Sequence, residues 1–329
     1  MNRTRRALTL ASLAPLATLS SLALRAGPAR AQAFPNKSIR IIVPTAAAGT
    51  GDLLARQVGE ILKEAFKQTV VVENRPGANG IIAMEAVAHA PADGYTLLAA
   101  SASNVAINPH LYKMPFDVEK AFAPVIQIAN TTQVLVAHPS FPARSVEELI
   151  AMAKAKPNAI DYASAGNGST PHLNMELLAS MAGIKLHGIV YKGSTPGRVA
   201  VLANEVPIMI DGLAPALPLI QAGQLRALAV TAPKRVSALP NVPTVAEALP
   251  GYVGEIWYGV LAPAGTPEAI VQKLNEVIAA GLKAPASVSK LLAQGGDVIA
   301  APAADFGAFI RQEIVKWRKV VKESGASVD

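Results

Sequence analysis

Two glycine-rich segments hold the residues best suited to chemistry. One runs Pro44-Thr45-Ala46-Ala47-Ala48-Gly49-Thr50-Gly51-Asp52. The other runs Ser164-Ala165-Gly166-Asn167-Gly168-Ser169-Thr170-Pro171-His172. Each follows a β-type run and precedes a helical one. Small residues let a ligand approach the main chain closely. A helix start adds unpaired N–H groups at a positive dipole end, which suits an anion. Asp52 is placed to cap the first helix; Ser169 or Thr170 fits the second cap, with Pro171 in the first turn. Either segment alone also reads as a tight strand-to-helix turn. Two of them, one per lobe, would present two helix N-termini to one ligand. The first is no P-loop, since no Gly-Lys-Ser/Thr follows, and Leu54 stands where a dinucleotide fingerprint needs a small residue.

Other candidates flank these loops. His172 either meets a ligand or packs at the edge of the cleft. Asp211 ends a strand and precedes Gly212; it faces the cleft or caps the following turn. Ser101, Ser103 and Asn104 follow a strand and can add neutral donors, or form an ordinary polar loop. No G-x-S-x-G elbow supports a serine nucleophile. The five histidines show no metal-ligand spacing, and no cofactor is expected. Trp257 and Trp317 read as packing residues.

The elements that must position these groups alternate. β-type runs at 38–44, 69–73 and 95–99 are separated by helical patterns at 53–66 and 81–89. The pattern restarts with strands at 133–137, 159–163, 189–191, 207–211 and 225–231, and helices at 145–154, 172–181 and 198–203. A strand at 256–262 and long amphipathic helices at 268–283 and 306–323 close the chain. This predicts an α/β protein of two lobes, each a mostly parallel sheet flanked by helices. Residues 32–132 with 253–329 form one domain and 133–252 the other, with crossings near 131–133 and 252–255.

Residues 1–31 hold five arginines, no acid, an apolar stretch and Ala29-Arg30-Ala31, which reads as a secretory leader cleaved near residue 31. Thr4-Arg5-Arg6-Ala7-Leu8 is similar to a twin-arginine signal. Setting those arginines aside leaves 25 basic against 23 acidic residues from a total of 30 and 23, so the mature chain is near neutral. No basic tract favours nucleic acid. The chain has no cysteine, which excludes disulfides and thiolate chemistry. After the leader no apolar run of about 20 residues predicts a membrane span.

The ordered set of short segments resembles the Bug-type receptors, the periplasmic substrate-binding components of tripartite tricarboxylate transporters. The segments are Phe34-Pro35, Ile39–Pro44, Asp52–Arg56, Val72–Ala78, Asp93–Leu98, Tyr162–Gly166 with Ser169 and His172-Leu173, Tyr191–Gly193, Leu225–Thr231, Leu239–Thr244 and Trp257–Gly259. The resemblance implies a two-lobed periplasmic-binding-protein fold of type II kind. It also implies a monomer that captures a small carboxylate and passes it to a membrane permease. Carried over residue by residue, Gly49, Thr50, Gly51 and Asp52 hold the ligand from one side. Ala165, Gly166, Ser169 and His172 hold it from the other, with Asp211 as the cleft aspartate. Ala48 replaces a glycine usual in the family, and Thr50-Gly51 inverts the usual order. Two competing expectations are a periplasmic sensor partner and a secreted α/β hydrolase using Ser169 and His172.

Overall fold

The computed structural model describes residues 34–293 and 295–324; the leader assigned to residues 1–31 lies outside them. β1 (Ile39–Val43) is a β-branched run buried at four of its five positions. It feeds α1 (Thr50–Phe66), which buries one face and stops where Lys67 turns left-handed. β2 (Val70–Asn74), α2 (Ile81–Ala88) and β3 (Thr96–Ser101) complete the opening series. A π-type turn at Ser103–Ile107 leads into α3 (Asn108–Leu111), α4 (Val118–Ala121) and β4 (Phe122–Thr131).

The chain then enters a second sheet. β5 (Gln133–Ala137), α5 (Val146–Ala155), β6 (Asp161–Ser164), α6 (Thr170–Ala182) and β7 (His187–Val190) come first. α7 (Ser194–Leu202), β8 (Ile208–Gly212), α8 (Leu213–Gln221), β9 (Arg226–Val230) and α9 (Val245–Ala248) follow. β10 (Ile256–Pro263) returns to the first sheet, and α10 (Glu268–Lys283), α11 (Pro285–Ala293), β11 (Gly296–Ala301) and α12 (Ala303–Ser324) finish it.

The sheets have the orders β11-β4-β10-β3-β1-β2 and β7-β6-β8-β5-β9. Without β11 the two orders are equivalent: second strand, first, third, the strand arriving from the other lobe, then the fourth. The α/β two-lobed expectation is met, but the sheets are mixed. β1 pairs parallel with β2 and β3, as β6 does with β7 and β8. β10 and β5 run antiparallel to both neighbours, and β11 to β4. The cause is the crossing itself. A parallel neighbour needs a crossover connection, whereas a strand coming straight from the other lobe enters at the carboxyl end and runs back.

The first lobe buries Ile42, Leu98, Trp257, Leu261, Phe306, Ile310 and Trp317 in one cluster. Both tryptophans pack there as expected, and both donate Nε1–H to the buried Glu313, at 3.1 and 3.0 Å. Leu173, at the start of α6, is buried in this same cluster. The second sheet has a core on each face, one built on Leu135, Met175 and Tyr252, the other on Val136, Val201 and Met209. Among the described residues no helix is long and apolar enough to cross a membrane.

Candidate functional site

A cavity of ≈ 320 Å³ lies between the lobes. Its walls are the loops that leave β1, β2 and β3 in one lobe and β6, β7 and β8 in the other. These are the carboxyl ends of the parallel strands, where open α/β sheets place ligands. Thr131, Gln133 and Ile256, from the two crossings, also line it.

The β1–α1 loop presents free donors. α1 begins at Thr50 with Gly49 as its cap residue, three residues before the predicted start and without a side-chain cap. Asp52 is therefore inside the first turn, where its carboxylate ties the loop. It accepts Ala48 N–H at 2.9 Å, Arg56 Nε–H at 3.0 Å and Asn74 Nδ2–H at 3.0 Å. Burial pushes this carboxyl up, but the three bonds together outweigh burial and hold it below the usual carboxylate range. Asn74 also donates to Thr45 O at 3.0 Å. The Thr50 and Gly51 amides make no hydrogen bond to a described residue. The buried Thr45 Oγ1 beside them is also unpartnered. Tyr258 bonds the Thr50 hydroxyl, and burial pushes its phenol up.

The β6–α6 loop differs, and it corrects the expectation of two open helix N-termini. Ser169 is the cap, accepting His172 N–H at 3.4 Å. Pro171 has no N–H to offer. Thr170 N–H goes to Ser103 Oγ of the other lobe at 2.8 Å. Gly168 N–H goes to His172 Nδ1 at 3.2 Å, and Gly166 N–H to Ser164 Oγ at 3.3 Å. The Ala165 and Asn167 amides and the Ser169 hydroxyl proton are left without a partner among the described residues.

Of the twelve residues singled out in the sequence, Gly49, Thr50, Gly51, Ser101, Asn104, Ala165, Gly166 and Ser169 line the cavity; Ala48, Asp52, His172 and Asp211 do not. His172 is turned onto its own loop. Burial pushes its pKa down against the pull of Glu176, so the ring is held neutral, as its acceptor role toward Gly168 requires. The Ser169 hydroxyl bonds the His172 amide and not its ring, which does not match a serine–imidazole pair. Asp211 is fully buried and bound by Arg198 Nε at 2.5 Å. It also accepts Gly212 N–H at 2.8 Å, so it shapes the turn while Gly212 lines the cavity.

The β2–α2 loop holds none of the residues singled out in the sequence. It contributes Gly77, Ala78, Asn79 and Gly80 to the wall, with φ of 130°, 45°, 49° and 89°. Glycine adopts positive φ freely, but at Ala78 and Asn79 it is costly and persists only where neighbours impose it. Here Asn104 and Asn108 both donate to Asn79 O, at 2.9 and 3.0 Å, and Asn79 Nδ2 donates to Asn108 at 2.7 Å. Ser101 Oγ–H fixes Asn104 at 2.8 Å. A Cβ on Gly80 would stand 2.6 Å from Pro44 Cβ. Tyr112, Tyr191, Lys192 and Tyr258 also line the cavity without having been singled out. Tyr191 and Lys192 follow β7 as the chosen loops follow their strands, a positional signal; Tyr112 ends α3 and Tyr258 lies within β10, where no local signal marks them.

The lobes touch directly around the cavity. Tyr112 OH donates to Asn167 O at 2.5 Å and Thr195 Oγ1–H to Ala47 O at 2.7 Å.

Comparison with known proteins decides the family. The model of the tripartite tricarboxylate transporter family receptor matches residues 54–326. The chain belongs to that family. Protein BugT of Bordetella pertussis is 37% identical over 306 residues, 92% of this chain and 94% of that protein. The solved structure of R. palustris Rpa4515 with adipate is 38% identical, with a TM-score of 0.87, over 89% of this chain and 99% of that one. MatC of Rhodopseudomonas palustris, with bound malate, is 29% identical, with a TM-score of 0.82, over 88% of this chain and all of that one. Receptors of this family are periplasmic solute-binding proteins, and solute binding is the role of this chain.

Proposed function

We propose that this receptor is exported by its N-terminal leader and captures a small carboxylate between its lobes. It then delivers the ligand to the membrane permease of a tripartite tricarboxylate transporter. The observation that carries the reading is the set of unspent amides at Thr50 and Gly51 inside a cavity, facing Ala165, Asn167 and Ser169. A carboxylate accepting several N–H groups near a helix start gains both charge-assisted hydrogen bonds and the helix dipole. Two relatives of the same fold carry adipate and malate, both carboxylates. Residues 32–132 with 253–329 move as one body and 133–252 as the other, flexing where the chain crosses. Binding to both lobes at once favours the arrangement in which they touch.

Ligand-stripped receptor screened by thermal shift against mono-, di- and tricarboxylates and aromatic acids should melt higher with at least one of them. If every organic anion leaves the melting temperature unchanged at millimolar concentration, the carboxylate reading is wrong.

A further inference from the structure

Four glycines of the second lobe meet the first lobe across the boundary. Gly166 faces Asn79, Gly168 faces Leu111, Gly193 faces Ala46 and Gly212 faces Thr50. The first three have positive φ, of 123°, 72° and 108°, so their own backbone accounts for glycine. Gly212 does not: its φ of −61° and ψ of 134° are open to any L-residue. Its own lobe also leaves room, since an added Cβ would stand 3.4 Å from Pro215 Cδ. What excludes a side chain is Thr50 of the other lobe. The Cβ would overlap Thr50 Oγ1 and stand 3.3 Å from Thr50 Cβ. Thr50 has little freedom to withdraw. It is buried in the first turn of α1, its hydroxyl bonds Tyr258, and a β-branched side chain is stiff at χ1.

This contact lies beside a crossing. Gly212 pairs with Gln133, the first residue of β5, and Leu213 N–H donates to Thr132 O at 3.1 Å. A gap forced open next to a pivot widens with distance from it, so a methyl at Gly212 parts the rim loops by more than its own width. We infer that Gly212 and Thr50 form a steric stop that sets how far the lobes close, with Gly212 as a positioning residue for ligand capture. The missing side chain lets the loops of both lobes meet around the ligand. The inference rests on the lobe movement proposed above.

Cysteines can report closure without any ligand, because the chain has none of its own. Ala47→Cys with Thr195→Cys puts one on each lobe at a contact between them. A short bis-maleimide then links the two at a rate set by the closed population. Adding Gly212→Ala should slow linking at least about tenfold. With Thr50→Ala also present, which removes the obstructing hydroxyl and keeps the amide, Gly212→Ala should change the rate by less than about threefold. In the receptor without added cysteines, succinate, malate, glutarate and adipate are titrated by calorimetry. Each acid that binds the parent should follow the same pattern, weakened by Gly212→Ala only while Thr50 is present. A methyl that merely obstructs the ligand would weaken binding in both backgrounds and leave linking unchanged, which overturns the stop. Unchanged linking and unchanged affinity in Gly212→Ala also overturn it and leave the carboxylate reading standing. Binding of none of these acids, nor of any in the wider screen, with the linking pattern intact overturns the carboxylate reading and leaves the stop standing. A Gly212→Ala chain that folds only together with Thr50→Ala supports the stop; one that folds in neither background overturns it.

Discussion

Ala48 adopts a left-handed backbone, φ 61°, next to the helix start that presents the free amides. An L-residue with a Cβ bears roughly 1–2 kcal/mol for this conformation, whereas glycine adopts it freely but is looser when unfolded. Ala48→Gly should therefore raise stability by up to about 1 kcal/mol, measured as a shift in the urea midpoint. Ala48 does not line the cavity, so ligand affinity should stay within twofold. A destabilised variant would mean that the alanine methyl makes contacts worth more than the strain. Arg198 and Asp211 set the opposite case. Burial pushes the Asp211 carboxyl up against the pull of Arg198. Arg198→Leu leaves that carboxylate buried without its counter-charge, held only by Gly212 N–H, at a cost of about 3–5 kcal/mol near neutral pH. The orphaned acid has a folded pKa above its unfolded value, so protonation relieves it and the deficit should narrow as pH falls. Denaturation midpoints at pH 7 and pH 5 check both size and sign.

α9 is four residues long and holds its place through its cap. Thr244 accepts Glu247 N–H at 3.1 Å, Glu247 returns the bond to Thr244 N–H at 3.1 Å, and Arg235 binds the same carboxylate at 2.8 and 2.7 Å. These contacts, Arg235 first, hold the Glu247 carboxyl at about 2, below the ordinary value of 4.5. Its contribution is therefore present above pH 4.5 and lost as pH falls toward 2. Glu247→Gln should lower the melting temperature at pH 7, and the gap should close in that acidic window; a gap independent of pH would assign the effect to packing. Elements of this kind were unevenly legible in the sequence. The amphipathic pattern at 268–283 matches α10 to the residue, and Ser145 caps α5 by accepting Glu148 N–H, because both signals are local. β4 was missed. It is buried at most positions, begins Phe122-Ala123-Pro124, and shifts register twice against β10, so neither alternation nor a clean apolar run marks it. α8 was missed because Pro215 and Pro218 look like breaks; the helix tolerates both within nine residues. In the site, the strand-end loops were readable from glycines and hydroxyls. The Ser169 cap was legible, but the bond that spends the Thr170 amide was not, since Ser103 lies 67 residues from Thr170.

At the scale of the whole molecule, the equivalent strand orders place six loops around one cavity and leave the lobes joined by two crossings and a few direct contacts. Tyr112–Asn167 and Thr195–Ala47 are such contacts, each running from one lobe to the other. A hydrogen bond of this kind contributes about 0.5–1.5 kcal/mol, so removing both should favour lobe separation by roughly 1–3 kcal/mol. Apparent affinity falls in proportion to the loss of the binding-competent population. The double variant Tyr112→Phe with Thr195→Val should then weaken binding by up to about 5- to 150-fold. Both side chains also line the cavity, so the size of the loss alone would not separate a latch from a ligand contact. The pattern across ligands does. A latch acts on closure and weakens chemically different acids by one common factor, while a ligand contact weakens each by its own. Solution scattering supplies the second readout. The parent receptor should compact on binding, and the variant should reach the same compact radius of gyration only at higher ligand concentration. Factors that differ widely between a short and a long dicarboxylate, or a parent radius that ligand leaves unchanged, would count against closure by these two contacts.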